Sequence, residues 1–157
     1  MKKIDSLLNE YGESHKNKTN KLIHWICVPL IYLSIVGLVR AIPSDLLSNE
    51  YLSEKYFNWA SLTVMLVMMY YLSMSMMLTL GMTIFSFICL YICNTLISLN
   101  LSILWFSLGI FIVSWVFQFI GHKIEGKKPS FLKDIQFLMI GPAWLMHFIY
   151  KKLNIKY

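Results

Sequence analysis

Charged residues are scarce in this sequence. Only 14% of the 157 residues are Asp, Glu, Lys or Arg, whereas soluble domains carry about 25%. Residues 59–97 contain no charged side chain at all. Hydrophobic residues make up 57% of the chain, and the mean hydropathy is +0.60. These values exclude an ordinary soluble domain and indicate an integral membrane protein.

Cysteine motifs and familiar catalytic signatures are also missing. Cys27, Cys89 and Cys93 lie in apolar runs without a C-x-x-C pair, which predicts buried thiols rather than a disulfide framework. No glycine-rich phosphate loop and no nucleophile elbow occurs. The net charge is +6, but the basic residues form no stripe of the kind that binds nucleic acid. Residues 1–21 are polar and predict no cleavable signal.

The apolar runs predict an all-α fold, a polytopic membrane helix bundle in one domain over residues 1–157. Residues 22–39 and 101–120 are each about long enough to cross a hydrocarbon core of roughly 30 Å. Residues 59–97 are too many for one crossing and fit two, with a tight turn near residues 79–82. We therefore expect four transmembrane helices.

The last apolar stretch, residues 135–150, is short and is interrupted by Gly141-Pro142. It predicts a re-entrant or interfacial helix pair broken at that dipeptide. Four crossings place residues 1–21, 121–137 and 151–157 on one side, and these carry twelve of the fourteen basic residues. By the positive-inside rule that side, with both termini, is cytoplasmic. The membrane is then the inner membrane of a bacterium or the endoplasmic reticulum of a eukaryote.

The four histidines all fall at this predicted cytoplasmic face: His15, His24, His122 and His147. Ionisable groups in or near a bilayer are costly and tend to be functional. Imidazoles with at most one carboxylate, here Glu125, suit iron, zinc or copper far better than magnesium or calcium. We therefore expect a metal or haem site at this face.

Polar residues lie about one helical turn from these histidines. The pairs are Tyr11 and His15, Asn20 and His24, Gln118 and His122, and His122 and Glu125. Residues three or four apart share one face of a helix. A metal-binding imidazole usually needs an outer partner that fixes its tautomer, and this spacing can supply one.

These residues resemble a family catalogued as domain of unknown function 962, small membrane dioxygenases of 2-hydroxy fatty acids with a yeast member in phytosphingosine breakdown. The resemblance runs over about residues 11–150, and its most specific part is Gln118-x-x-Gly121-His122-x-x-Glu125. The other matching positions are Tyr11, His15, Asn20, His24, Pro29, Pro129 and Gly141-Pro142. One departure is His147, where many members carry an acidic residue.

The resemblance implies α-oxidation of a long-chain 2-hydroxy fatty acid that lies with its tail in the membrane. Molecular oxygen is consumed, the C1–C2 bond breaks, and a fatty acid one carbon shorter remains. It also implies Fe(II) as the cofactor. The expected ligands are His15, His24 and His122, with His147 as a further candidate. Asn20, Gln118 and Glu125 are expected to orient them, and Tyr11 and Glu125 are also candidate catalytic residues.

Lys127 and Lys128 are candidates for binding the substrate carboxylate, because they are basic and follow the fourth predicted crossing. Two other functions stay open. One is a haem-binding electron carrier with His24 and His122 as axial ligands, and the other is a non-catalytic lipid-binding membrane protein. A diiron hydroxylase or desaturase is excluded, since the chain has four histidines and no H-x-x-H-H box.

Overall fold

Six helices make up the structure, a computed structural model that describes residues 3–47, 51–126 and 131–155, with the backbone alone between 131 and 137. No strand occurs in these residues, so the all-α prediction is confirmed. The helices are α1 (Lys3–Glu13), α2 (Lys18–Arg40), α3 (Trp59–Leu72), α4 (Met76–Ser98), α5 (Ile103–Glu125) and α6 (Phe131–Lys152).

Short polar side chains determine where the long helices begin. Asn17 precedes α2, and its side chain accepts hydrogen bonds from two backbone N–H groups of the first turn. Ser75 and Ser102 each accept one such bond at the start of α4 and α5. These caps satisfy donors that a first helical turn leaves unpaired. At the other end of α5, Gly126 has φ 73°, a left-handed conformation that favours glycine.

Among the described residues, three helices are long and apolar enough to cross a membrane: α2, α4 and α5, each of 23 residues and about 34 Å long. Helix α3 has 14 residues, about 21 Å, which is short of a hydrocarbon core of roughly 30 Å. Large apolar side chains such as Phe87, Tyr91 and Trp105 are exposed on α4 and α5. The structure therefore agrees with a membrane protein, and the arrangement with four crossings stays a prediction.

The turn between α3 and α4 lies at residues 73–75, so the position predicted from Gly81 is wrong. Gly81 lies inside α4, where an added Cβ would collide with the hydroxyl group of Tyr150. That hydroxyl donates a hydrogen bond of 2.6 Å to the carbonyl of Met77. The glycine is required by close packing of α6 on α4 rather than by a reversal of the chain.

Helix α6 runs without a break through Gly141 and Pro142, so the predicted helix pair broken at this dipeptide is wrong. A proline inside a helix removes one backbone hydrogen bond, but tertiary contacts hold this helix together. Trp144 is 3% exposed, and Tyr71 of α3 donates a hydrogen bond of 2.5 Å to the carbonyl of Met139. Burial in the bundle therefore outweighs the local tendency to break.

Helices α2 and α5 form the most extensive helix–helix contact and run antiparallel. Buried small or short side chains recur along it every seven residues: Asn20, Cys27 and Ser34 on α2, and Ser107, Ser114 and Gly121 on α5. A seven-residue repeat keeps one helix face turned to its partner, and small residues let two backbones approach closely. A Cβ at Gly121 would overlap the side chain of Asn20. This α2–α5 seam brings the start of α2 beside the end of α5.

Candidate metal centre

Three histidines converge at one end of the α2–α5 seam. His15 lies in the loop between α1 and α2, His24 in the second turn of α2 and His122 in the last turn of α5. The ring centroid of His15 is 4.2 Å from that of His24 and 5.5 Å from that of His122, and the latter two are 5.1 Å apart. One ring nitrogen from each lies within 4.8 Å of the other two. Nitrogens about 2.1 Å from one ion at tetrahedral or right angles are about 3.0 to 3.4 Å apart, so the rings would have to move closer together to hold one metal.

Backbone carbonyl groups fix the tautomer of two of these rings. Nδ1 of His15 is 2.6 Å from the carbonyl oxygen of Tyr11, and Nδ1 of His24 is 2.9 Å from that of Asn20. Because a carbonyl oxygen only accepts, each Nδ1 carries the hydrogen, and each neutral ring keeps its lone pair on Nε2. The partner one helical turn away is therefore the backbone of Tyr11 and Asn20, which orients an imidazole as outer partners of metal ligands do.

Nε2 of His15 is buried and has no hydrogen-bond partner within the described residues. A buried acceptor without a donor is costly, and a bound cation would satisfy it. Burial lowers the pKa of His15 from 6.5 to about 4, and the nearby His122 acts in the same direction, against the hydrogen bond to Tyr11, which raises it. The neutral form is the one that binds a metal, so the donor set fits a transition metal at neutral pH.

Glu125 ties the loop that carries His15 to the end of α5. Its carboxylate accepts hydrogen bonds from the backbone N–H groups of Lys16 at 2.9 Å and Asn17 at 3.0 Å, and from the side-chain amide of Asn20 at 3.0 Å. Three donors on one carboxylate define its position closely. These contacts favour a positioning role for Glu125, and its predicted catalytic role stays a prediction.

Tyr11 stacks on His15, with ring centroids 4.2 Å apart and an angle of 14° between the planes. The residue is 5% exposed, and its ring lies 5.2 Å from that of Trp144. A Cβ at Gly141 would lie 3.1 Å from the Tyr11 hydroxyl oxygen. Gly141 thus makes room for this tyrosine, and the Gly141-Pro142 dipeptide does not end a helix.

A cavity of about 340 Å³ extends from the three histidines into the bundle. Gln118, which is 7% exposed, lines its polar end together with Tyr11 and the histidines, and Glu10, Glu13 and Ser14 also line the cavity. Most of the remaining lining is apolar: Val28, Ile31, Ile35, Val36, Val39, Ala60, Val64 and Val67. An apolar cavity with a few convergent polar groups is the usual form of a small-molecule site. Its lining suits a ligand with a polar head and a long apolar tail.

His147 lies outside this centre. It is half-buried on α6 with its ring 5.3 Å from that of Phe148, and it neither joins the group of three ring nitrogens nor lines the cavity. Its expected role as a further ligand therefore finds no support. Lys127 and Lys128, expected to bind a substrate carboxylate, lie outside the described residues.

A family model described as "2-hydroxy-palmitic acid dioxygenase Mpo1-like" matches residues 1–153. The chain belongs to the Mpo1-like family. It is similar to the 2-hydroxy-palmitic acid dioxygenase MPO1 of Saccharomyces cerevisiae, with 28% identity over 153 residues that cover 94% of this chain and 80% of the yeast protein. No solved structure matches the chain. The resemblance seen in the sequence is confirmed.

The structure of this Mpo1-like chain adds residues that the sequence analysis missed. Trp144 contacts both Tyr11 and His15. Only the packing of α6 on α1 brings it there, so the sequence around Trp144 does not predict this contact. The α2–α5 seam did have a signal, since Ser107, Ser114 and Gly121 recur every seven residues. That repeat predicts which face of α5 meets α2.

Proposed function

We propose that this protein is an Fe(II)-dependent dioxygenase of long-chain 2-hydroxy fatty acids. The observation that carries the proposal is the convergence of three imidazoles at the polar end of an otherwise apolar cavity. Membership of the Mpo1-like family supports the same reaction class. So does the similarity to a yeast protein that is named a 2-hydroxy-palmitic acid dioxygenase.

The proposed reaction is α-oxidation. The C1–C2 bond breaks, C1 leaves as carbon dioxide, and C2 becomes the carboxyl carbon of an acid one carbon shorter. The sum, R–CH(OH)–COOH plus O2 giving R–COOH, CO2 and H2O, balances in atoms and electrons without an external reductant. The reaction therefore needs no redox partner protein.

His15, His24 and His122 would hold the iron, and nitrogen donors of this kind suit Fe(II). Iron, when bound, supplies the redox chemistry that activates O2. Three neutral imidazoles would leave the 2+ charge of a bound iron uncompensated, so the carboxylate of the acid would be attracted to the iron. We assign Tyr11 and Gln118, which line the polar end of the cavity, the role of hydrogen-bond donors to the carboxylate and hydroxyl of the acid.

Single alanine substitutions of the histidines test this assignment. His122→Ala removes one of the three converging nitrogens, so we expect iron affinity and turnover to fall by more than about 100-fold. His147→Ala makes the same chemical change outside the cluster and should keep both. Iron per protein is measured after anaerobic reconstitution, and the shortened acid is measured by mass spectrometry. Normal iron content and turnover in His122→Ala would end the proposal.

The haem alternative conflicts with the arrangement of the rings. A porphyrin held axially by His24 and His122 would lie between their imidazoles. The three ring centroids form a triangle with sides of 4.2, 5.1 and 5.5 Å, so a porphyrin between His24 and His122 would overlap the ring of His15. A Soret band in the purified protein would favour haem, and a protein that binds no metal at all would favour a role in lipid binding alone.

A further inference from the structure

The cavity extends along one face of α2. Its lining on this helix begins at His24 and ends at Val39, fifteen residues later, which corresponds to about 22 Å at 1.5 Å per residue. The end near His24 is polar, and the end near Val39 is formed by aliphatic side chains of α2 and α3. That length and polarity match an extended long-chain acid with its head at the histidines.

The far end of the cavity is bounded by a small, tightly buried core. Ala60 is 1% exposed and belongs to a cluster with Val36, Cys89 and Cys93, which are at most 6% exposed. Val39 and Val64 pack against this cluster and also line the cavity. Since Ala60 has the smallest side chain of this wall, the space left for the end of a chain depends on it.

Because the substrate comes from lipid, the wall at the far end of the cavity can select acyl chains by length in only one way. A methylene group gains little when it moves from lipid into an apolar cavity, because lipid tails are as apolar as the side chains. Selection by favourable burial is therefore weak, whereas steric exclusion by a packed wall is strong. A cavity in a membrane protein should set a sharp upper limit of chain length and only a shallow lower one.

We propose that Ala60, together with Val39, sets the longest acyl chain that the site accepts. This inference rests on the proposed function and adds a determinant of specificity at the end of the cavity away from the histidines. The competing arrangement is a chain that leaves the cavity sideways between α3 and α5, which both line it but do not contact each other in the described part of the protein. A chain that left there would make the enzyme insensitive to its length.

The experiment measures kcat/KM for a series of saturated 2-hydroxy acids of increasing length, each at the same mole fraction in nanodiscs with the iron-loaded protein. Ala60→Leu should lower kcat/KM for the longest accepted acid by roughly tenfold or more, and for acids several carbons shorter by less than about threefold. Val39→Ala enlarges the same end and should extend the limit by roughly two carbons. Gly109→Leu is the matched control, since an added Cβ there meets nothing within 4 Å; its profile should equal that of the unmodified protein.

An unchanged limit in Ala60→Leu and Val39→Ala, with normal turnover of short acids, overturns this inference and leaves the proposed function standing. If Ala60→Leu does not accumulate as folded protein, the chain-length profile of Val39→Ala alone tests the inference, because this substitution creates space rather than a clash. Absence of turnover for every acid in the unmodified, iron-loaded protein overturns the proposed function and the inference with it.

Discussion

Asn20 and Glu125 form a hydrogen-bonded network beside the three histidines. Asn20 is fully buried; its backbone carbonyl accepts from Nδ1 of His24, and its side-chain amide donates to Glu125. Glu125 also accepts from the backbone N–H of Lys16, next to His15. Two side chains therefore couple the positions of imidazoles that come from different segments, which is the usual role of groups behind metal ligands.

Glu125→Gln tests this coupling at the scale of a single residue. The substitution replaces one accepting oxygen by an NH2 group that faces donors, so the loop around His15 should shift. We expect the affinity for Fe(II), measured by competition with a chelator, to fall by about 10- to 100-fold. Glu54→Gln, the same change in a glutamate that pairs with Arg40, should leave the affinity unchanged.

The same measurement separates positioning from catalysis. A positioning role predicts that the loss of turnover in Glu125→Gln follows the loss of iron and is largely restored at saturating iron. Unchanged iron affinity with lost turnover would show instead that Glu125 takes part in the reaction, as the sequence analysis expected.

Among the contacts between helices, the α2–α5 seam has the largest influence on the distance between the histidines, because α2 and α5 carry two of the three. Apolar helices gain little from the hydrophobic effect when they associate in lipid. The distance between two such helices depends instead on the size of the side chains between them. Here small residues determine that distance, since Gly37 faces Ser107 and Gly121 faces Asn20. A change in this separation moves His122 relative to His24.

Gly121→Ala should therefore destabilise the protein and weaken metal binding together. The added Cβ overlaps the buried side chain of Asn20, and overpacking of this kind costs about 1–3 kcal/mol. Gly109→Ala on the same helix meets no neighbour within 4 Å and should be neutral or stabilising by up to about 1 kcal/mol. Unfolding in detergent and iron affinity are measured for both variants. Equal behaviour of the two would show that the seam does not require a glycine at position 121.

Across the whole molecule, successive helices from α2 to α5 alternate in direction. The start of α2, the end of α5 and the packed helices α1 and α6 lie with the histidines, whereas the ion pair of Arg40 and Glu54, 2.8 Å between Nη1 and Oε1, lies at the opposite end. Most of the basic residues that the structure describes therefore belong to the histidine end, which the positive-inside rule predicts to be the cytoplasmic face.

Labelling of single cysteines tests this topology. The three native cysteines are buried, so introduced ones can be labelled in intact cells or oriented vesicles with a membrane-impermeant maleimide. Lys18→Cys and Lys152→Cys should react from the cytoplasmic side only, and Lys55→Cys from the opposite side only. Labelling of all three from one side would mean that the chain does not cross the membrane between α1 and residue 55 as predicted.

Much of this protein could be predicted from its sequence because the relevant signals are local. Apolar runs indicated the long helices, and the i, i+3 and i+4 spacing of Gln118, Gly121, His122 and Glu125 predicted a common helix face. The turn after α3 was misplaced because a glycine has two uses: Gly81 looks like a turn residue in the sequence, but in the fold it makes room for Tyr150.

By itself, then, the sequence determined the all-α membrane class, most helix positions and the residue types of a candidate metal centre, since hydrophobicity, capping and helical periodicity act within a few residues. Only the tertiary structure showed that His15, His24 and His122 converge while His147 lies apart from them, that α6 continues through Pro142, and that a cavity begins at the three converging histidines. These features depend on how distant helices are rotated and spaced against one another, which local spacing does not specify.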